Sequence, residues 1–191
     1  LCLALELCDG SLYSLLHERQ HLSTSETSHF APAEIFAVAR GVASGLSYLH
    51  DHHSLLHGDI KSANVLVSRA LDTIKLCDLG LCTTTTTLDF AQHGVAVPRK
   101  MTGKTGSFRY MAPEVMLEEE CYSPKVDVYS ATMVAWYMWV GQAPFRSMTG
   151  NIVAQLAARQ SMRPSLVKIA TKDPELAALL EQQQAEHRRR R

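Results

Sequence analysis

The chain has 191 residues, 46% of them hydrophobic, and its 19 Lys and Arg balance 19 Asp and Glu. That is a single-domain length with apolar content enough for a core, and the balance excludes a globally basic nucleic-acid binder or an acidic disordered tail. The longest apolar run, Ala131 to Val140, is broken by Thr132 and reaches about half of what a bilayer requires, so no transmembrane segment is expected.

The chain opens on Leu rather than Met, and LCLALEL is too short and too quickly acidic for a signal peptide, so it is expected to be cut from something longer. Residues 1–7 are predicted as a short buried strand, closed by the turn Cys8-Asp9-Gly10-Ser11. Leu12 to His17 predicts a short helix, and His21 to His29 a polar loop. Pro32 and Glu34 open the clearest helix, with Ile35, Val38, Ala39, Val42, Leu46 and Leu49 on one apolar stripe. Gly41 and Gly45 inside it each cost roughly 1 kcal/mol against Ala, which predicts a neighbour packed close against that face.

Asn64 to Val67 and Thr73 to Leu76 are predicted strands, joined as a hairpin through Ser68 to Asp72. Residues 80–107 show no period and include the threonine run Thr83 to Thr87; they are predicted as one long loop. Ser123-Pro124 starts a helix to about Val140 that is apolar nearly all round, hence buried and central. Asn151 to Arg159 and Pro174 to about Glu186 are two further helices, and Arg188 to Arg191 reads as a frayed end. There is no internal repeat. The five cysteines, Cys2, Cys8, Cys77, Cys82 and Cys121, include no CxxC pair, the pattern of reduced thiols in a cytoplasmic chain.

The chemistry concentrates in His57-Gly58-Asp59-Ile60-Lys61-Ser62-Ala63-Asn64, between the long helix and the hairpin, and in Cys77-Asp78-Leu79-Gly80 directly after it. Phosphoryl transfer needs a carboxylate at the attacking hydroxyl, a cation on the moving phosphoryl group and oxygen ligands for Mg²⁺. These two segments supply all three on the two sides of one hairpin.

Through those residues the chain resembles the eukaryotic protein kinases. The resemblance continues through Thr105-Gly106-Ser107-Phe108-Arg109-Tyr110-Met111-Ala112-Pro113-Glu114, Asp127-Val128-Tyr129-Ser130 and Gly141-Gln142-Ala143-Pro144-Phe145. Leu5-Glu6-Leu7-Cys8-Asp9-Gly10-Ser11-Leu12 is similar to the hinge between the two kinase lobes. Lys61 after Asp59 resembles the Ser/Thr-specific pattern, and MTGKTGSFRYMAPEV is similar to the tyrosine-kinase-like group.

The resemblance implies an α+β protein-kinase-like fold: a mainly helical C-lobe with a small β-hairpin, the N-lobe absent. Residues 1–187 would be a partial kinase domain and 188–191 a basic end. It implies that Asp59 takes the substrate hydroxyl's proton, Lys61 steadies the transferred phosphate, and Asn64 and Asp78 ligate Mg²⁺. Ser107 would keep a hydroxyl near Asp59 and Lys61, and His57 and Asp127 would brace the catalytic loop from behind. Leu66 would floor the adenine of ATP, and the Glu6 and Cys8 backbones would bond its edge. The partners implied are ATP and a protein substrate, with no nucleic acid, since there is no basic stripe or aromatic platform. The rival reading is a pseudokinase-like scaffold, which would have no chemical need for Asp59, Asn64 and Asp78 together.

Three departures from the family stand out. The 191 residues are expected to lack the family's glycine-rich loop, strand Lys and partner Glu, so this chain alone is expected to have little activity. The family's Arg partner for Glu114 has no counterpart before Arg191, which predicts an unpaired, partly buried carboxylate costing roughly 3–5 kcal/mol. Gly58 stands where many kinases carry Arg, the central grip for an activating phosphate. Other features are discounted. Gly103-Lys104-Thr105 lacks a P-loop's first glycine, that place being Pro98. His50, His52 and His53 end a helix, where the dipole favours cations, and no Cys or carboxylate completes a zinc set with His57. The threonine run reads as a solvated loop before it reads as a phosphosite.

Overall fold

The computed structural model describes residues 5–22, 30–84, 86–89, 95–98, 107–119, 123–171 and 173–189. The first four residues of the predicted opening strand, most of the predicted 21–29 loop, the 103–105 segment and the last two residues lie outside them. The described chain is helix-rich with few strands. In order it runs β1 (Gly10–Ser11), α1 (Leu12–Leu22), α2 (Pro32–Ser47), β2 (Leu55–Leu56), β3 (Val65–Val67), β4 (Ile74–Leu76), β5 (Thr83–Thr84), β6 (Thr86–Asp89) and β7 (Val95–Pro98). Then come α3 (Pro113–Met116), α4 (Lys125–Val140), α5 (Gly150–Arg159), α6 (Val167–Ala170) and α7 (Pro174–Arg189). Among the described residues no helix is long and apolar enough to cross a membrane.

Helix α2 forms where its pattern places it. Pro32 occupies the first turn, and the Glu34 carboxylate accepts the Ala31 N–H at 2.8 Å, satisfying a donor that the helix start would otherwise orphan. Arg19 of α1 donates to both Glu34 oxygens at 2.9 and 3.0 Å, and its guanidinium stacks over the Phe30 ring at 4.1 Å. The Arg19 bond holds the Glu34 carboxyl below its ordinary range. Ile35, Val38, Val42, Leu46 and Leu49 are buried along one stripe, with Ala39 partly so. A Cβ at Gly41 would lie 2.5 Å from Ile74 Cβ, and one at Gly45 would lie 2.9 Å from Leu76 Cδ1, so β4 is the expected close neighbour. Gly41→Ala should therefore destabilise the fold. Its helix gain of about 1 kcal/mol is outweighed by overpacking of about 1–3 kcal/mol against a β-branched side chain. A denaturant midpoint unchanged or raised in that variant would contradict the packing.

Helix α4 is buried on both sides, as its all-round apolar sequence predicts. Val126, Tyr129 and Met133 join one core cluster with Leu56, Met111, Val115 and Ala154. Val134, Tyr137, Met138, Trp139 and Val140 join the main core with α1, α2, β3, Ile169 and Ala177. The helix stops at Gly141 in a left-handed conformation (φ 77°), which glycine adopts without cost.

The small sheet has the order β1–β3–β4, antiparallel throughout, with Ser11 opposite Leu66 and Leu66 opposite Lys75. The predicted hairpin is present, a residue shorter at the start of each strand. Four expectations need correcting. Residues 5–7 are neither strand nor buried: Leu7 is 96% exposed, because no described element covers them. Helix α1 continues past His17 to Leu22. The 80–107 segment is not all loop: β5 pairs with β2, and β6 pairs with β7. Threonine is β-branched, and a run of it suits a strand once a partner edge exists. The short helices α3 and α6 carried too few turns to show a period. Glu114 is not left unpaired, since it has an interaction partner within the chain.

Candidate active site

Asp127, in the first turn of α4, organises the loop between β2 and β3. It is 1% exposed, and its Oδ2 and Oδ1 accept the backbone N–H groups of His57 (2.8 Å) and Gly58 (2.9 Å). His50 Nε2 approaches Oδ2 at 2.8 Å from the π-helical turn that ends α2. The His57 ring is fully buried. Its Nδ1 accepts the Asp59 N–H at 3.3 Å, so Nε2 carries the proton and donates to the Cys77 carbonyl at 3.0 Å. Cys77 N–H in turn donates to the Asn64 carbonyl at 3.0 Å. These bonds tie the start of the loop to the end of β4, so that Cys77, bonded to Asn64, leads directly into Asp78.

The predicted catalytic residues converge. Asp59 is 7% exposed; its Oδ1 accepts the Ser107 N–H at 2.8 Å, and its Oδ2 pairs with Lys61 Nζ at 2.6 Å. Lys61 Nζ also donates to Ser107 Oγ at 3.0 Å. Asn64 Nδ2 donates to the Asp59 carbonyl at 2.8 Å and to its Oδ2 at 3.2 Å. With its nitrogen on Asp59, Asn64 has Oδ1 left as a ligand atom. Asp78 is exposed, at φ 63°, and among the described residues accepts a long 3.4 Å bond from the Gly80 N–H. An amide oxygen and one accessible carboxylate fit Mg²⁺, which keeps waters and substrate phosphate in its shell and needs no cage of side chains.

The residues expected around adenine lie along the small sheet. Leu66 is partly buried on β3. Its cross-strand neighbour Lys75 holds Glu6 Oε2 at 3.2 Å, which brings the 5–8 segment to this sheet. Cys8 is a partly buried free thiol, as are Cys77 and Cys82. Burial first, then the Asp78 charge and Cys8, push the Cys77 thiol up. His50 is the residue that sequence reasoning missed. Its place at a helix end already accounted for it, and nothing local signals a bond to a carboxylate 77 positions away.

A family model described as protein kinase domain matches residues 1–188. The chain is 34% identical over 182 residues to the Serine/threonine-protein kinase STY46 of Arabidopsis thaliana, covering 95% of this chain and 28% of that protein. It is 38% identical over 138 residues to the Serine/threonine-protein kinase VIK of the same plant, covering 71% and 28%. To its Serine/threonine/tyrosine-protein kinase HT1 it is 32% identical over 162 residues, covering 85% and 38%. The chain thus spans less than two fifths of the length of each of these relatives.

Proposed function

We propose that this chain, which belongs to the protein kinase domain family, carries the catalytic half of a protein serine/threonine kinase that moves the γ-phosphoryl of MgATP to protein hydroxyls. The observation that carries the reading is the Asp59 carboxylate, held by the Ser107 N–H, Lys61 and Asn64 within 3.2 Å. A hydroxyl delivered to Asp59 loses its proton to an oxygen whose direction is already set, so positioning, the main need of phosphoryl transfer, is met before substrate binds. Lys61 Nζ sits on the same side, between Asp59 and Ser107, where a cation opposes charge on the moving phosphoryl group. Asn64 and Asp78 would hold Mg²⁺, which when bound neutralises the phosphate oxygens. Leu66 and the backbones of Glu6 and Cys8 are the proposed adenine contacts.

The test is transfer of labelled γ-phosphate by the whole protein to a mixed protein substrate, followed by phosphoamino-acid analysis. Phosphoserine and phosphothreonine are expected. Phosphotyrosine as the main product, or no transfer, would overturn the reading.

A second expectation follows from Gly58. It lies at φ 78°, and a Cβ there would sit 3.0 Å from the Leu81 carbonyl oxygen, so a side chain is strained as well as crowded. With no Arg at that place, the activating-phosphate grip is missing from the catalytic loop. Turnover should stay within tenfold after complete phosphatase treatment, with mass spectrometry following Thr83–Thr87, Thr102 and Thr105. A loss of tenfold or more, about 1.4 kcal/mol of barrier, would show that another cation has taken the role.

A further inference from the structure

Arg109 is a partly buried cation close to the reacting groups that the proposed chemistry leaves unused. It sits in the turn from Ser107 to Met111, where the Tyr110 N–H donates to the Ser107 carbonyl at 2.9 Å and the Met111 N–H to the Phe108 carbonyl at 3.3 Å. At the head of that turn the Ser107 N–H holds Asp59 Oδ1, and the Ser107 hydroxyl takes a bond from Lys61 Nζ. The Arg109 guanidinium reaches across to the loop between α4 and α5. Its Nη1 donates to the carbonyls of Pro144 and, at 2.7 Å, Phe145, and its Nη2 donates to that of Met148 at 2.9 Å. One planar fork thus gathers three carbonyls, a geometry that a lysine ammonium does not reproduce. The loop it holds is bent: Phe145 lies at φ 53°, in the left-handed region that a bulky residue seldom adopts. Directly after the loop, a Cβ at Gly150 would lie 3.3 Å from Phe108 Cβ and 3.5 Å from the Arg109 nitrogen, so the start of α5 is in close contact with the same turn.

We propose that Arg109 is a positioning residue for transfer to protein. It fixes the Ser107 turn on the Pro144–Met148 loop, and so sets the direction of the bonds that Ser107 makes to Asp59 and Lys61. It touches no reacting atom and acts through Ser107. This role rests on the reading of Asp59 as the proton acceptor. Without the fork the turn shifts against Asp59, which slows the chemical step. The proposed adenine contacts belong to the small sheet and the 5–8 segment, so ATP binding is left alone.

The test compares the whole protein with Arg109→Met, which keeps an apolar stem and removes every donor, and Arg109→Lys, which keeps the charge and removes the fork. Measured well below each variant's melting temperature, Arg109→Met should lower kcat for a protein substrate at least tenfold, with the KM for ATP within twofold. Arg109→Lys should fall between Arg109→Met and the unmutated protein. Hydrogen exchange followed by peptide mass spectrometry needs no catalysis. The amides of Tyr110, Met111 and Met148, each bonded within its own turn, should exchange at least tenfold faster in Arg109→Met, with α2 and α4 unchanged. An unchanged kcat, a KM for ATP that rises as kcat falls, Arg109→Lys equal to the unmutated protein, or unchanged exchange at the three amides would overturn the proposal. Faster exchange spread through α2 and α4 would mark general loosening and overturn it too. No transfer by the unmutated protein would overturn the kinase reading and this role with it, and the exchange rates would separate that failure from the absence of the clamp.

Discussion

Asp59→Asn is expected to cut phosphoryl transfer by the whole protein at least ~10²-fold, the low end for a residue that takes a proton. Asparagine keeps the shape and loses the basic oxygen. It also sets a donor among donors. Both Asp59 oxygens accept, from the Ser107 N–H on one side and from Lys61 and Asn64 on the other. Either orientation of the new amide turns its NH₂ toward one of those groups. The effect should fall on kcat, because the lost proton transfer belongs to the transition state. Near-normal kcat would remove Asp59 from the mechanism.

Asp127→Ala is expected to lower stability by about 3 kcal/mol as well as activity. The substitution strands the His57 and Gly58 N–H groups, and a buried donor without a partner costs about 1–3 kcal/mol. Gly58 borders a cavity of about 240 Å³, so water can meet part of its need, which keeps the sum near the middle of the range. Against a usual total of 5–15 kcal/mol, that is a large fraction. Asp127→Asn retains one acceptor and should lose about half as much. Urea denaturation of the two variants checks both values. A loss under 1 kcal/mol for Asp127→Ala would mean that the buried His57 ring alone holds the loop.

What could be read before folding was whatever lies within one element or one short segment. The stripe on α2 and the all-round apolar α4 were legible because burial imposes a 3.6-residue period, or abolishes it. Asp59, Lys61 and Asn64 were legible because one turn carries them at fixed offsets. Gly41 and Gly45 announced a close neighbour without naming it. That Ile74 and Leu76 are the neighbours was decided by the β4–α2 contact.

Pairings across long separations were decided only by the tertiary structure. Ser107 was suggested by resemblance, but its N–H on Asp59 and its hydroxyl on Lys61 come from two segments meeting. His50 carried no signal, since a hydrogen bond to Asp127 has no period and no local composition. The β5 strand was unreadable for a related reason: a uniform threonine run has no alternation, and the edge offered by β2 makes it a strand. Residues 5–7 failed in the opposite direction, apolar enough for a buried strand yet uncovered by any described element. Local pattern sets which face of an element seeks burial, whereas the partner it meets sets whether that face is buried and which polar groups are paired.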